Sequence, residues 1–321
     1  MARGAEVPLR ILVLGGTKFL GRAFVEAALA RGHELTLFNR GETNPDLFAG
    51  VEQVRGDRTV DLSALAGRTF DAIVDPSGYV PATVRASAEL LSGCGQYVFV
   101  SSVSVYADFS TGPTVESPVA ELGDASADEL AADSSNYGAL KALCEQAVWD
   151  VFRESCLVVR PGLIVGPHDP TGRFTYWAHR LARGGELLAP APPERLAQFV
   201  DVRDLAGWMV ECLERRVMGV FNATNEGVAW SSLLADAEVT WVSDTFLQEH
   251  EVGPWLELPL WLPGPEWAGM HQTDVSRAVA AGLRFRPLAE TIEGAAGADA
   301  VEGVGLTPER EAELLAAWHG R

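Results

Sequence analysis

Residues Ile11-Leu12-Val13-Leu14-Gly15-Gly16-Thr17-Lys18-Phe19-Leu20-Gly21 decide the reading of this chain. An apolar run of strand length enters a glycine turn, and Phe19–Arg31 carries apolar residues at helical spacing. Strand, glycine turn and helix in direct succession is the context in which such glycines have a physical role. Gly15 makes the tight turn after the strand, and Gly21 lets the helix pack closely. The helix N-terminus, with free N–H groups and partial positive charge, then faces a phosphate. The stretch therefore predicts a dinucleotide pyrophosphate site built from Gly15, Thr17, Lys18, Phe19, Leu20 and Gly21.

Working outward, short β-rich runs alternate with amphipathic stretches, the pattern of a parallel sheet wound by helices. The strands are expected at Arg10–Leu14, Leu35–Phe38, Gln53–Arg55, Ala72–Val74, Gln96–Val100 and Leu157–Val159. Helices are expected at Phe19–Arg31, Ala82–Leu91 and Tyr137–Arg153. Near Val165 the texture changes: Pro, Gly and Trp become frequent and strands become sparse. The expected fold class is α/β, a Rossmann-type doubly wound parallel sheet with a smaller C-terminal substrate-binding lobe. Residues 1–165 form the dinucleotide-binding domain, its sheet completed by parts of 195–225, and 166–321 mainly form the lobe. The site then lies in the crevice outside the carboxyl ends of the strands.

The end of the second strand chooses between cofactors. An NAD site places Asp or Glu there for the ribose 2′-hydroxyl. This chain has Leu37-Phe38-Asn39-Arg40 instead. An arginine without an acid suits a 2′-phosphate, and Lys18 adds charge on the same side. NADP(H) is favoured, with NAD(H) the other possibility. Asp57 and Arg58 follow the third strand, where adenine would lie, and Asp57 is suited to accept from the adenine amino group. Ser77, beyond the fourth strand, is assigned to the cofactor as well.

Tyr137 and Lys141 stand four apart on a helical stretch, so both project from one face. A phenol is a poor acid or base near neutrality, and a neighbouring ammonium favours its phenolate. The same amine suits a ribose hydroxyl of the cofactor, where arginine's wide planar group serves less well. A third hydroxyl comes from Val100-Ser101-Ser102-Val103-Ser104 at the end of the fifth strand.

Composition narrows the classes. Of 25 basic residues among 321, only Lys18 and Lys141 are lysines, and both fall in these motifs. Coding bias accounts for the arginine excess, but Lys141 chemically requires an amine. A formal net charge of −19 argues against nucleic acid or an anionic membrane as partner. The charge is uneven: residues 1–60 hold eight bases and seven acids, whereas Asp108–Asp133 hold seven acids and no base. That acidic stretch reads as a solvated flap beside the site. No apolar run is long enough to span a bilayer, and residues 1–9 hold no signal core. Four dispersed cysteines and six unpaired histidines give no disulfide framework and no metal site, and a reducing cytoplasm is the expectation.

With these motifs assembled, the chain resembles the extended short-chain dehydrogenase/reductases of the NAD-dependent epimerase/dehydratase type, in an atypical form. The resemblance spans Gly15–Gly21, Ser101–Tyr106, Tyr137–Lys141, Arg160–Pro167, Phe199–Leu205, Gly219–Asn222 and Asp274–Pro287. It implies Ser102, Tyr137 and Lys141 as the catalytic set, Ser104 as a secondary hydroxyl, and Pro161 beside the nicotinamide. It also implies a homodimer built on the helices Ala82–Leu91 and Tyr137–Arg153. Three departures stand out. Lys18 replaces the middle glycine. Val103-Ser104 replace the Asp-Glu pair of the dehydratases. Trp230–Val239 leave little room for the helix expected after Gly227.

Hydride transfer to or from a secondary alcohol or ketone of a small molecule or sugar derivative is the implied reaction, with Tyr137 moving the proton. His168, Arg173 and Phe174 are candidate substrate contacts, Arg173 as a clamp for a phosphate or carboxylate; a turn and a core account for His168 and Phe174 equally well. The alternatives are a sugar-nucleotide epimerase with tightly held cofactor and a non-catalytic dinucleotide-sensing or RNA-binding protein of the same fold.

Overall fold

The computed structural model describes residues 7–131 and 134–321. Arg10–Leu14 is β1, and its residues from Ile11 to Leu14 are fully buried. Such an unbroken apolar run belongs to a parallel strand covered on both faces. Helix α1 (Phe19–Ala30) follows and buries Leu20, Phe24, Val25 and Ala28 along one stripe. Then come β2 (Glu34–Asn39), β3 (Glu52–Arg55), β4 (Ala72–Asp75), α2 (Pro81–Leu90), β5 (Gln96–Val100), α3 (Tyr137–Phe152) and β6 (Cys156–Pro161). Pro81 opens α2 at a position where a missing N–H costs nothing.

The chain then leaves the sheet through β7 (Leu163–Val165), α4 (Arg173–Arg183), β8 (Leu187–Pro190), β9 (Leu196–Ala197), β10 (Phe199–Asp201) and α5 (Val202–Glu214). It returns as β11 (Gly219–Ala223). The central sheet has seven parallel strands in the order β11-β6-β5-β4-β1-β2-β3. One face is covered by α1 and α5, with Phe24, Val25, Trp208 and Met209 in that core. The other is covered by α2 and α3, with Val84, Ala88, Cys144 and Val148. This is the doubly wound arrangement, and the strand order reverses between β1 and β4, where ligands bind such sheets.

The remaining chain forms a separate core around Phe174, Trp177, Trp230 and Trp261. Strands are less sparse there than the sequence suggests: β7 pairs with β10, β9 with Val228–Ala229, and β8 with Val239–Val242. After Gly227 one helical turn, Trp230–Leu233, takes the place of the longer helix that the resemblance implies. The buried carboxylate of Glu311 on the C-terminal helix Pro308–His319 meets Arg180 and Arg183 of α4 and ties that helix to the lobe.

Candidate active site

The glycine turn is strained in the way only glycine tolerates: Gly15 has φ +125° and Gly16 φ +98°. Ser77 donates to the Leu14 carbonyl at 2.7 Å and so braces the end of β1. No side chain caps α1, and no acid stands in its first turn. The helix start therefore presents uncapped N–H groups, which fits a pyrophosphate. Thr17 and Leu20 are buried, Phe19 is half-buried, and Lys18 is exposed.

At the end of β2, Asn39 donates to the Gly15 carbonyl at 3.2 Å. Its oxygen accepts from Gly41 N–H and from Arg55, the residue beside it on β3. Arg40 is exposed and pairs with Glu42 at 2.9 Å. Only the strand register brings Arg55 to Asn39. Asp57 accepts from the Thr59 N–H and hydroxyl.

Arg58 corrects an expectation. Rather than facing an adenine, it turns inward and forks onto Asp75, at 2.7 and 2.8 Å, and also donates to Ser87. Tyr97 donates to the same carboxylate at 2.9 Å. Asp75 is fully buried, so a cationic partner is required there.

Ser102 follows β5 by two residues and caps the turn Val103–Val105, and Tyr137 begins α3. Gly138 makes their meeting possible: a Cβ there would lie 2.0 Å from the Ser104 carbonyl oxygen, so any side chain would push the helix off the Ser102–Ser104 turn. Ser102 Oγ accepts from Ser104 N–H at 3.0 Å and donates to Ser104 Oγ at 3.1 Å. Burial pushes the Tyr137 phenol up to about 12, with Tyr79 adding to the effect. A hydrogen bond with Ser102 and the charge of Arg173 oppose it. The lowering expected from a neighbouring ammonium is not seen, and burial is the largest influence on this phenol.

Lys141 is itself 2% exposed. It donates to the Val100 and Gly78 carbonyls at 2.6 and 2.7 Å. Burial pulls its amine down to about 8, against Cys144, Asp75 and Glu145. Pro161 is buried at the end of β6.

The substrate candidates divide. Arg173 opens α4, lies 4.7 Å above the Trp255 ring and forms no ion pair among the described residues. Its Nε is buried without a hydrogen-bond partner. Burial lowers its pKa, against the charges of Asp169 and Tyr137. Asp169, nine-tenths buried, leaves Oδ2 unpartnered in the same region. By contrast, His168 sits exposed on the turn at φ +65°. Phe174 corrects a second expectation: it is fully buried, its ring 4.6 Å from that of Phe199, and it belongs to the core of the lobe.

Two further relationships escaped the sequence. Tyr79 brings its ring to 6.4 Å from Tyr137. Arg160 forks onto Glu145 of α3 at 2.9 and 2.6 Å and donates to Tyr106, which donates to Asn222. That network fixes α3 to β6 and β11. The acidic flap is anchored rather than loose: Asn136 accepts from Ala131 N–H and donates to the Ser126 and Glu129 carbonyls. Its acids Asp108, Glu121, Asp124 and Asp128 are exposed, and its last acid, Asp133, lies outside the described residues.

Residues 11–224 match the family profile described as the NAD dependent epimerase/dehydratase family. The chain is 29% identical over 266 residues to 2′-dehydrokanamycin reductase from Streptomyces kanamyceticus, covering 80% of this chain and 67% of that protein. It is 26% identical over 235 residues to chloroplast stem-loop binding protein of 41 kDa b from Arabidopsis thaliana. That match covers 68% of this chain and spans 59% of the length of that relative. Among solved structures, UDP-glucuronic acid 4-epimerase from Bacillus cereus in complex with NAD superposes with a TM-score of 0.62 at 16% identity, covering 89% of this chain and 96% of that one.

Proposed function

The chain belongs to the NAD dependent epimerase/dehydratase family, and from that premise we propose that it is an NADP(H)-dependent reductase of a small-molecule ketone. The gathering of Ser102, Tyr137 and Lys141 at the carboxyl end of β5 and the start of α3 carries the reading. Tyr137, raised toward about 12 by burial, is protonated at neutral pH, the form a proton donor needs.

The nicotinamide, when bound, supplies the hydride. Gly15–Gly21 would hold the pyrophosphate, with Ser77 bracing the turn and Pro161 walling the nicotinamide side. Asp57 suits the adenine amino group. Asn39, Arg40, Arg55 and Lys18 are the residues that would hold a group at the ribose 2′ position, and no acid ends β2. That set favours a 2′-phosphate over a free hydroxyl. Ser102 orients the substrate oxygen, with Ser104 holding Ser102. Tyr137 gives its proton to that oxygen as it gains negative charge. Lys141 stabilises the phenolate left behind and holds the ribose. Arg173 faces the substrate from the lobe.

The reductase relative makes an oxidised aminoglycoside a sensible first substrate. Turnover should be followed as NADPH oxidation with a panel of sugar-derived and small ketones. Tyr137→Phe should lose about 10²–10⁴-fold in kcat with NADPH affinity unchanged. Interconversion of epimers without net NADPH consumption would overturn the reductase reading. NADH binding tighter than NADPH, unaffected by Arg40→Ala, would overturn the cofactor assignment.

The similarity to a stem-loop binding protein raises a second reading. The net charge of −19 opposes it. Salt-sensitive binding of a labelled RNA stem-loop at micromolar concentration would favour it.

We also propose a homodimer through α2 and α3. Both helices keep large apolar side chains at the surface, Leu90, Leu143 and Trp149, each about two-fifths exposed.

A further inference from the structure

Lys141 carries a buried charge with no carboxylate in ion-pairing distance among the described residues. The acids around it are already committed. Asp75, at the end of β4, is held by Arg58 and Tyr97. Glu145, one turn further along α3, is held by Arg160. Cys144 is a thiol that burial pushes up to about 12, so it stays neutral. Arg58 adds a like charge from the loop after β3, and Tyr137 stands one turn before Lys141 as a neutral phenol.

What does face the amine is aromatic. Lys141 Nζ lies 4.4 Å from the Phe99 ring centroid and 5.2 Å from that of Tyr79. The rings come from separate elements. Phe99 is fully buried within β5, whereas Tyr79 follows β4 and is 45% exposed. Two main-chain carbonyls, of Val100 and Gly78, take two of the three N–H donors. We propose that Tyr79 is a positioning residue which, with Phe99 and these carbonyls, forms an aromatic cage that keeps Lys141 a cation in place of a counter-ion.

The physics is that of a ring quadrupole. The negative face of a π-system favours an ammonium over a neutral amine, most strongly when water is excluded. Burial works against the charge at Lys141, and the cage offsets part of that cost. A phenylalanine at position 79 would keep the face, an aliphatic residue would remove it, and a tryptophan would strengthen it. The cage rests on the reductase reading only for its effect on turnover, and its own test needs no substrate.

The chain has two lysines, so a sample labelled at lysine Cε and Nζ gives two side-chain NMR signals, and Lys18→Arg assigns them. The titration of Lys141 can therefore be followed directly. In Tyr79→Leu its midpoint should fall by about half a pH unit or more. Tyr79→Phe should leave it within about 0.2 units of wild type, and Tyr79→Trp should not lower it. Position 79 is half open to solvent, and circular dichroism checks the fold of each variant. An unchanged midpoint in Tyr79→Leu overturns the proposal. So does a fall in Tyr79→Phe equal to that in Tyr79→Leu, which would assign the effect to the hydroxyl. With an active substrate, the basic limb of kcat/KM should move with the NMR midpoint. A moved NMR midpoint in a protein that reduces no ketone keeps the cage and removes the reductase reading.

Discussion

Arg58 forks onto the fully buried Asp75, Nη1 to Oδ1 at 2.7 Å and Nη2 to Oδ2 at 2.8 Å, beneath the end of the sheet where the cofactor loops gather. Burial pushes the Asp75 carboxyl up, and the charge and hydrogen bonds of Arg58, with Lys141 and Tyr97, bring it below its ordinary value. The pair is structural, and it commits the Arg58 guanidinium to Asp75 and Ser87. Arg58→Ala should cost about 3–5 kcal/mol in urea unfolding, because it strands a buried carboxylate. Arg40→Ala, at an exposed position, should stay within about 0.5 kcal/mol of wild type and instead weaken NADPH relative to NADH. Equal stability losses in the two variants would contradict this division.

Lys141 should be a net cost to stability. Its amine titrates at about 8 in the fold against 10.5 when free. Below pH 8 both states are protonated, and the full cost of burying the charge is present. Between 8 and 10.5 the unfolded state binds more protons, so stability rises with pH through that window. Lys141→Met should therefore unfold about 1–3 kcal/mol higher than wild type at pH 7. The gain should shrink toward pH 10.5. A variant less stable than wild type at both pH values would show that the two carbonyl hydrogen bonds outweigh the burial of charge.

Arg173 lies over the Trp255 ring with a buried, unpartnered Nε and no ion pair among the described residues. A donor left unsatisfied in this way suits a substrate oxygen or anion. Once a substrate is in hand, Arg173→Gln should raise KM by about 10- to 100-fold, the worth of one or two charged hydrogen bonds. NADPH affinity should not change. An unaltered KM would leave Arg173 as a packing residue of the lobe.

Light scattering on the purified chain should report a dimer, and Trp149→Glu on α3 should give a monomer. Trp149 is exposed, so the substitution costs the single subunit little. A wild-type monomer at working concentration would remove the dimer proposal.

The fold and the outline of the site were legible because their signals are local. The run Ile11–Leu14, the positive φ demanded of Gly15 and the four-residue step from Tyr137 to Lys141 each rest on chain neighbours. Expected strands and helices fall within a residue or two of those observed, as periodicity and capping permit. The two lysines in the two motifs were visible at once. Local reading failed where one residue type serves either a ligand or a distant partner. Arg58 and Phe174 carried suitable chemistry for a site, but burial against Asp75 and Phe199 commits them to the interior.

The sequence by itself therefore determined the parallel sheet, the glycine turn and the presence of a tyrosine–lysine pair on one helical face, since these depend on backbone conformation and helical repeat. Only the tertiary structure decided what each charge meets. Arg58 finds Asp75 17 residues away, and Lys141 finds the Gly78 carbonyl 63 residues away, beside the ring of Tyr79. In a low-dielectric interior those partners, rather than neighbours along the chain, set protonation state and role.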